Sequence, residues 1–252
     1  MGITLRNLSV GYQKPLLTGV HFTLQKGEIL CVLGRNGSGK TTLFKTLLGL
    51  LPKHAGEILI DDVPLDSQNP KHLAQKIAYI PQARKIDFAF TAFEVGLFGR
   101  TPHLPYFGFP TEKDKAIAAE MMQQIGIWHL KDKAFSQMSG GEQQLTIIAR
   151  ALTQQPTYIV MDEPTSALDF GNQLKVLQQV KALQSQDIGI ILSTHNPDHV
   201  FLCDSKVAVV KDHTIAALGT PDEVMTEALL KDLYEVEIKI INQKNRKICF
   251  PL

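Results

Sequence analysis

The sequence predicts an α/β fold with a mainly parallel sheet, an N-terminal antiparallel β subdomain and an inserted helical subdomain. Three observations carry this. The apolar run Ile29-Leu30-Cys31-Val32-Leu33 leads directly into Gly34-Arg35-Asn36-Gly37-Ser38-Gly39-Lys40-Thr41, which fits G-x-x-x-x-G-K-[ST] without a mismatch. Two further apolar runs, Tyr158-Ile159-Val160-Met161 and Ile188-Gly189-Ile190-Ile191-Leu192-Ser193, flank a helical stretch around Leu174, Leu177 and Val180, the order of a βαβ unit. From about residue 83 to 150 the hydrophobic period is helical instead.

Taken in order, Ile3-Thr4-Leu5-Arg6 and His21-Phe22-Thr23-Leu24 alternate as half-buried strands, and Lys26-Gly27 turns the chain into the fully apolar strand ending at Leu33. Thr42 to Leu48 follows the glycine loop as a helix. Gly56 to Asp61 reads as another strand of the first sheet, and Lys76 to Ile80 as a short buried strand ending at Pro81-Gln82. Thr111 opens a helix that runs to about Ile125, where Gly126 can take a positive φ. Ser139 opens another, with Leu145, Ile148, Ala149 and Leu152 as its buried stripe and Gln155-Pro156 as its end. Val207-Ala208-Val209-Val210 and Ile215-Ala216-Ala217-Leu218 form a closing hairpin. Thr220 then caps a last helix, with Pro221 first and Glu223 completing a capping box. The stretch Ile238 to Leu252 reads as a final strand in preference to a regulatory tail.

With 26 Lys and Arg against 25 Asp and Glu, the chain has no excess charge to draw it to nucleic acid. Cys31, Cys203 and Cys249 lack metal-ligand spacing, and the first two lie in apolar surroundings typical of reduced core thiols. The N-terminus does not read as a secretory signal. No apolar run approaches the ~18 residues of a membrane span, so a membrane role is expected to go through a partner.

The glycine loop is a phosphate cradle. Backbone N–H groups close around phosphate oxygens, the following helix turns its positive end to the anion, Lys40 reaches the β- and γ-phosphates, and the Thr41 hydroxyl is placed for a magnesium ion. Asp162 and Glu163 fall at the C-terminal end of an apolar strand, where open α/β sheets bind ligands. Asp162 is expected to hold the magnesium and Glu163 to orient or deprotonate the attacking water. Ser139-Gly140-Gly141-Glu142 places two glycines and a hydroxyl at a helix start, a second anion site.

Met138-Ser139-Gly140-Gly141-Glu142-Gln143 resembles the L-S-G-G-Q signature of the ATPase subunits of ABC transporters, and the resemblance spans essentially the whole chain. Further motifs follow the family's order. Tyr12 stands where the family stacks an aromatic on adenine. Gly34 to Thr42, including Asn36, Gly37, Ser38, Gly39, Lys40 and Thr41, is the Walker A loop. Gln82 is the Q-loop glutamine and a further magnesium contact; Asp162 and Glu163 are Walker B; Ser166-Ala167-Leu168-Asp169 is the D-loop; His195 is the switch histidine. The resemblance implies the ABC ATPase fold on a P-loop NTPase core, with ATP and Mg2+ as cofactors and with Glu163, His195 and Gln82 as catalytic residues. Glu142 departs from the usual glutamine, and Leu145 stands where a basic residue is common. Because Ser139-x-x-Glu142 fits a capping box, Glu142 is expected to turn back to the Ser139 N–H.

By resemblance the chain is one ABC ATPase domain, 1–252. Residues 1–82 and 151–220 form the core with its β subdomain, 83–150 the helical signature subdomain, and 221–252 a C-terminal helix and tail. Each signature is expected to face the γ-phosphate of a second copy, so that a homodimer encloses two ATP. Integral membrane permease subunits are the expected partners, with a substrate-binding protein involved indirectly, and the chain sits at the cytoplasmic face of the inner membrane. A soluble ABC ATPase of DNA repair or translation is the alternative, and such relatives usually carry long coiled-coil insertions or two cassettes. The segment Phe90 to His103, with Gly99-Arg100-Thr101-Pro102-His103, and Asp169-Phe170-Gly171-Asn172-Gln173 resemble the metal-chelate branch of ABC importers, which carries iron-siderophore, haem, cobalamin or molybdate-type cargo, the molybdate and tungstate importers being nearest. The plain reading of the aromatic loop Thr101 to Pro110 is packing within the lobe. Arg84 to Phe93 is the expected groove for a short helix of the permease.

Overall fold

The structure, a computed structural model, describes residues 1–82, 89–244 and 246–252. In chain order the elements are β1 (Gly2–Gly11), β2 (Pro15–Gln25), β3 (Ile29–Gly34), α1 (Lys40–Leu47), β4 (Lys53–Ile60), β5 (Val63–Pro64), α2 (Pro70–Lys76), β6 (Ile77–Ile80), α3 (Ala92–Leu97), α4 (Glu112–Gln124), α5 (Gly140–Thr153), β7 (Tyr158–Met161), α6 (Phe170–Leu183), β8 (Gly189–Thr194), α7 (Asp198–Cys203), β9 (Lys206–Lys211), β10 (Thr214–Gly219), α8 (Pro221–Val224), α9 (Glu227–Tyr234), β11 (Ile238–Gln243) and β12 (Arg246–Pro251). They fall into two compact units, residues 1–68 with 180–252, and residues 69–179.

In the first unit β1 pairs antiparallel with β2 and β4, giving the order β2-β1-β4-β5. The register sets Leu5 opposite both Phe22 and Ile58, and Ile3 opposite both Leu24 and Ile60, so the alternating apolar residues fill one face. All six are buried. Gly56, at φ +85, lies against β1 where a Cβ would meet the Asn7 carbonyl at 2.4 Å, which requires glycine there. β3 runs parallel between β8 and β9, and β10 closes antiparallel on β9, as the expected hairpin. Every residue of β3 and β8 is buried, which is why both read as unbroken apolar runs. Cys31 and Cys203 are buried free thiols, with the Ser205 hydroxyl 2.9 Å from Cys31 Sγ.

The C-terminal part differs from the expectation. The Thr220 capping box is present, but the helix stops at Val224 and Thr226 caps a second helix, α9, by accepting from Leu229 N–H. A second capping residue six positions after the first ends one helix and begins the next. Beyond α9 the tail is a hairpin of two strands, β11 on β12, with Ile240 opposite Cys249 and Ile241 opposite Ile248.

In the second unit β6 and β7 pair in parallel, and β6 begins at Ile77 because Lys76 still belongs to α2. α4 starts on the Thr111–Asp114 capping box and is followed by Gly126 at φ +79. Leu145 is only half-buried, so the inward face of α5 is built by Gln144, Ile148, Ala149, Ala151 and Leu152. The turn at residues 98–103 packs so close to α5 that a Cβ on Gly99 would lie 2.1 Å from the Arg150 carbonyl. Arg100, buried, donates to Asp114 Oδ1 at 2.8 Å and to the Thr153 carbonyl and Gln155 Oε1 at 3.1 Å. His103 bonds the Gln154 carbonyl. The Gly-Arg-x-Pro-His run is therefore a packing motif of this unit. Its aromatic continuation is not: Tyr106, Phe107 and Phe109 are 94%, 89% and 87% exposed, because the loop turns outward through Pro105 and Gly108.

Candidate nucleotide site

In the first unit the loop from Gly34 to Lys40 leaves β3 and enters α1. Gly37 and Gly39 take φ +80 and +100, and Gly39 caps α1 without any side-chain hydrogen bond. The first turn of α1 carries no acid. These features leave the helix's leading N–H groups aimed at the loop with no competing side chain, the arrangement that receives an anion. Ser38 Oγ is buried without a hydrogen-bond partner, an unmet need that a phosphate oxygen would satisfy. Lys40 is buried and donates to the carbonyls of Gly34 at 2.8 Å and Arg35 at 3.0 Å. Thr41 faces solvent, whereas Thr42 is buried. Asn36 is exposed at the loop's outer edge. Tyr12, just after β1, is 61% exposed, and its hydroxyl accepts from Lys45 Nζ at 3.4 Å.

His195 follows β8 and is exposed. Its neighbours are fixed: Thr194 Oγ1 accepts from Asn196 N–H at 3.0 Å and bonds His199 Nδ1 at 2.8 Å. Burial, and then the charge of His195, push His199 down to about 4, so it is neutral at pH 7. Three contacts of this unit were not legible in the sequence. Tyr234 donates to the His195 carbonyl at 2.8 Å, Arg35 pairs with Glu235 at 2.5 Å, and Cys249 N–H donates to Asp198 at 2.7 Å. Each joins residues far apart in the chain, and no local pattern announces them.

In the second unit Asp162 and Glu163 leave β7. Asp162 is buried, and its N–H donates to the Ile80 carbonyl at 2.8 Å. Glu163 takes φ 46, a conformation that costs a non-glycine residue about 1–3 kcal/mol. Its Oε2 lies 3.3 Å from Gln82 Nε2, so the Gln82 side-chain amide and the Glu163 carboxylate meet. Residues 83–88 lie outside the described residues, and with them half of the expected groove at Arg84 to Phe93.

Ser139 caps α5. Its N–H donates to Glu142 Oε2 at 2.8 Å, as the capping-box expectation requires, and Lys133 pairs with the same carboxylate at 2.9 Å. The Lys133 bond and then the Ser139 backbone N–H hold Glu142 below its ordinary pKa. Its charge is thus occupied. Gly140 is exposed, and Gly141 is buried where a Cβ would meet the Asn172 side chain at 2.4 Å. Asp169 caps α6, accepting from Asn172 N–H at 2.9 Å and from its side-chain amide at 2.7 Å. The oxygen donors Thr41, Gln82 and Asp162 match the hardness of magnesium, and Asp162 is the buried carboxylate among them.

A strand, a glycine cradle and an uncapped helix start define a nucleoside-triphosphate-binding protein. The profile of the family described as ABC transporter matches residues 17–166. An uncharacterized ABC transporter ATP-binding protein of Haemophilus influenzae is 38% identical over 96% of this chain and 93% of its own length. The hemin import ATP-binding protein HmuV of Hahella chejuensis is 32% identical over 92% and 91%. Among solved structures, one described as the inward-facing conformation of a metal-chelate type ABC transporter superposes with TM-score 0.87 at 30% identity, covering 100% of this chain and 97% of that one. The chain belongs to the ABC transporter family, as an ATP-binding component whose hydrolysis of ATP is coupled to transport.

Proposed function

We propose that the chain is the ATPase subunit of an importer for metal chelates of the iron-siderophore or haem type, acting as a homodimer around two Mg-ATP at the cytoplasmic face of the inner membrane, docked on a separate permease that a substrate-binding protein feeds. The observation that carries the reading is the phosphate loop, with its uncapped helix start and its buried, unpartnered Ser38 hydroxyl. The relatives supply the direction and the cargo class, since one is named for hemin import and a structural neighbour for metal-chelate transport. Neither name points to molybdate, so iron chelates take precedence over the molybdate expectation.

The loop N–H groups, Ser38 and Lys40 bind the β- and γ-phosphates, and the Tyr12 ring stacks on adenine. Bound magnesium supplies charge neutralisation at the phosphates, and Thr41, Gln82 and Asp162 are the residues that would hold it. Glu163 accepts a proton from the attacking water, Gln82 orients its carboxylate, and His195 donates toward the γ-phosphate. Ser139, Gly140 and Gly141 offer N–H and hydroxyl donors to the nucleotide of the partner copy, while Glu142 remains in its cap and Asp169 carries the D-loop.

Reconstituted with its genomic-neighbour permease, the subunit should hydrolyse ATP and move a ferric siderophore or haem, with both lost in Lys40→Ala. Stimulation by molybdate alone, with no response to any iron chelate or haem, would overturn the cargo class. Lys40→Ala turning over ATP normally would overturn the site.

A further inference from the structure

The last elements of the first unit reach back to both phosphate-facing loops. α9 ends at Tyr234, whose hydroxyl donates to the His195 carbonyl at 2.8 Å. Glu235 follows at φ 60 and accepts from Arg35, the second residue of the phosphate loop, at 2.5 Å. β12 adds a third tie where Cys249 N–H donates to Asp198, three residues after the histidine. Burial raises the Tyr234 hydroxyl above its ordinary pKa, so it stays a donor throughout the working range.

The geometry assigns a role to these contacts. The His195 carbonyl shares a Cα with the imidazole, so fixing it fixes the direction in which the ring leaves the backbone. Thr194 and its bonds to His199 and Asn196 pin the loop from the buried side, and Tyr234 pins it from the outer side. Arg35 lies in the loop whose carbonyl Lys40 already holds. We propose that Tyr234 and Glu235 are positioning residues for ATP hydrolysis, Tyr234 acting through the His195 backbone and Glu235 through Arg35, so that the end of α9 is mechanically joined to the phosphate-facing loops.

This rests on His195 being a γ-phosphate contact, and the two ideas separate in experiment. His195→Ala tests the contact itself: normal turnover there would remove the premise. In the full-length chain, Tyr234→Phe removes the hydroxyl and keeps the ring. We expect kcat to fall about three- to tenfold with KM for ATP within about twofold, an unchanged thermal midpoint, and faster amide exchange across residues 192–200. Glu235→Ala should speed exchange across residues 34–40 and lower kcat by about two- to fivefold. Wild-type kcat in Tyr234→Phe, or a kcat loss accompanied by a lowered thermal midpoint and raised KM, would overturn the proposal; unaltered exchange at 34–40 would remove the Glu235 half.

Discussion

Ser38 and His199 show how single side chains here carry opposite demands. Ser38 Oγ is buried without a partner, so the ligand-free protein bears the cost of an unmet polar group. Ser38→Ala should leave ligand-free stability unchanged or raise it by up to about 1 kcal/mol while weakening ATP binding about three- to tenfold. Thermal unfolding with and without nucleotide reads both. For His199, the folded pKa of about 4 lies below the ordinary 6.5, so the unfolded chain binds more protons between those values. Its contribution is present in full above pH 6.5 and is lost as pH falls toward 4, by an amount on the order of 3 kcal/mol. His199→Asn should flatten the unfolding midpoint across that window; an equally steep curve in the variant would assign the loss elsewhere. At Glu142 the capping geometry was legible because Ser-x-x-Glu is a local pattern, whereas Lys133 as its second partner was not. Glu142→Gln should keep ATP turnover within about threefold, since the cap survives without the charge, and a strong rise would show the carboxylate facing phosphate.

At the scale of elements, the sequence was most informative where one segment specifies its own conformation. β3, its glycine loop and α1 follow from apolar run, motif and helix start, and α4 from Thr111 to Gly126 follows from caps alone. α2 and α7 were missed because seven and six residues are too short to display a helical period. The α8–α9 break was missed because Thr226 is a capping residue inside an otherwise continuous amphipathic run. In the sequence Arg100 stands out only as part of a family pattern, because its partners lie 14 and more residues away. The buried Arg100–Asp114 pair also carries the Thr111 cap, and the Thr111 bonds, then Arg100, hold Asp114 down to about 2. Asp114→Ala should destabilise the second unit by about 3 kcal/mol by leaving a buried guanidinium unpaired and α4 uncapped. Urea unfolding followed at Trp128, in the same unit, measures it, and a change below about 1 kcal/mol would show that the pair is replaced by water.

For the whole molecule, the family and its ATPase activity were written in the order of the motifs, because phosphate chemistry demands particular residue types at particular spacings. Cargo was not, since none of these motifs touches it. The proposed homodimer is a matter of assembly: Glu163→Gln with Mg-ATP should sediment as a dimer and revert to monomer on chelation of magnesium, while a monomer under both conditions, with and without the permease, would contradict the closure around two nucleotides. Finding where such partners touch calls for labels, and here the three native thiols have a practical implication. Cys31 and Cys203 are inaccessible, and burial, then the Asp198 carboxylate, push Cys249 up to about 12. Since only the ionised form attacks maleimides and iodoacetamides, these sulfurs will react orders of magnitude more slowly than an ordinary solvent-facing thiol near neutral pH. A spin label or fluorophore can therefore be directed to a single introduced cysteine on the wild-type background, without first stripping the chain of its own.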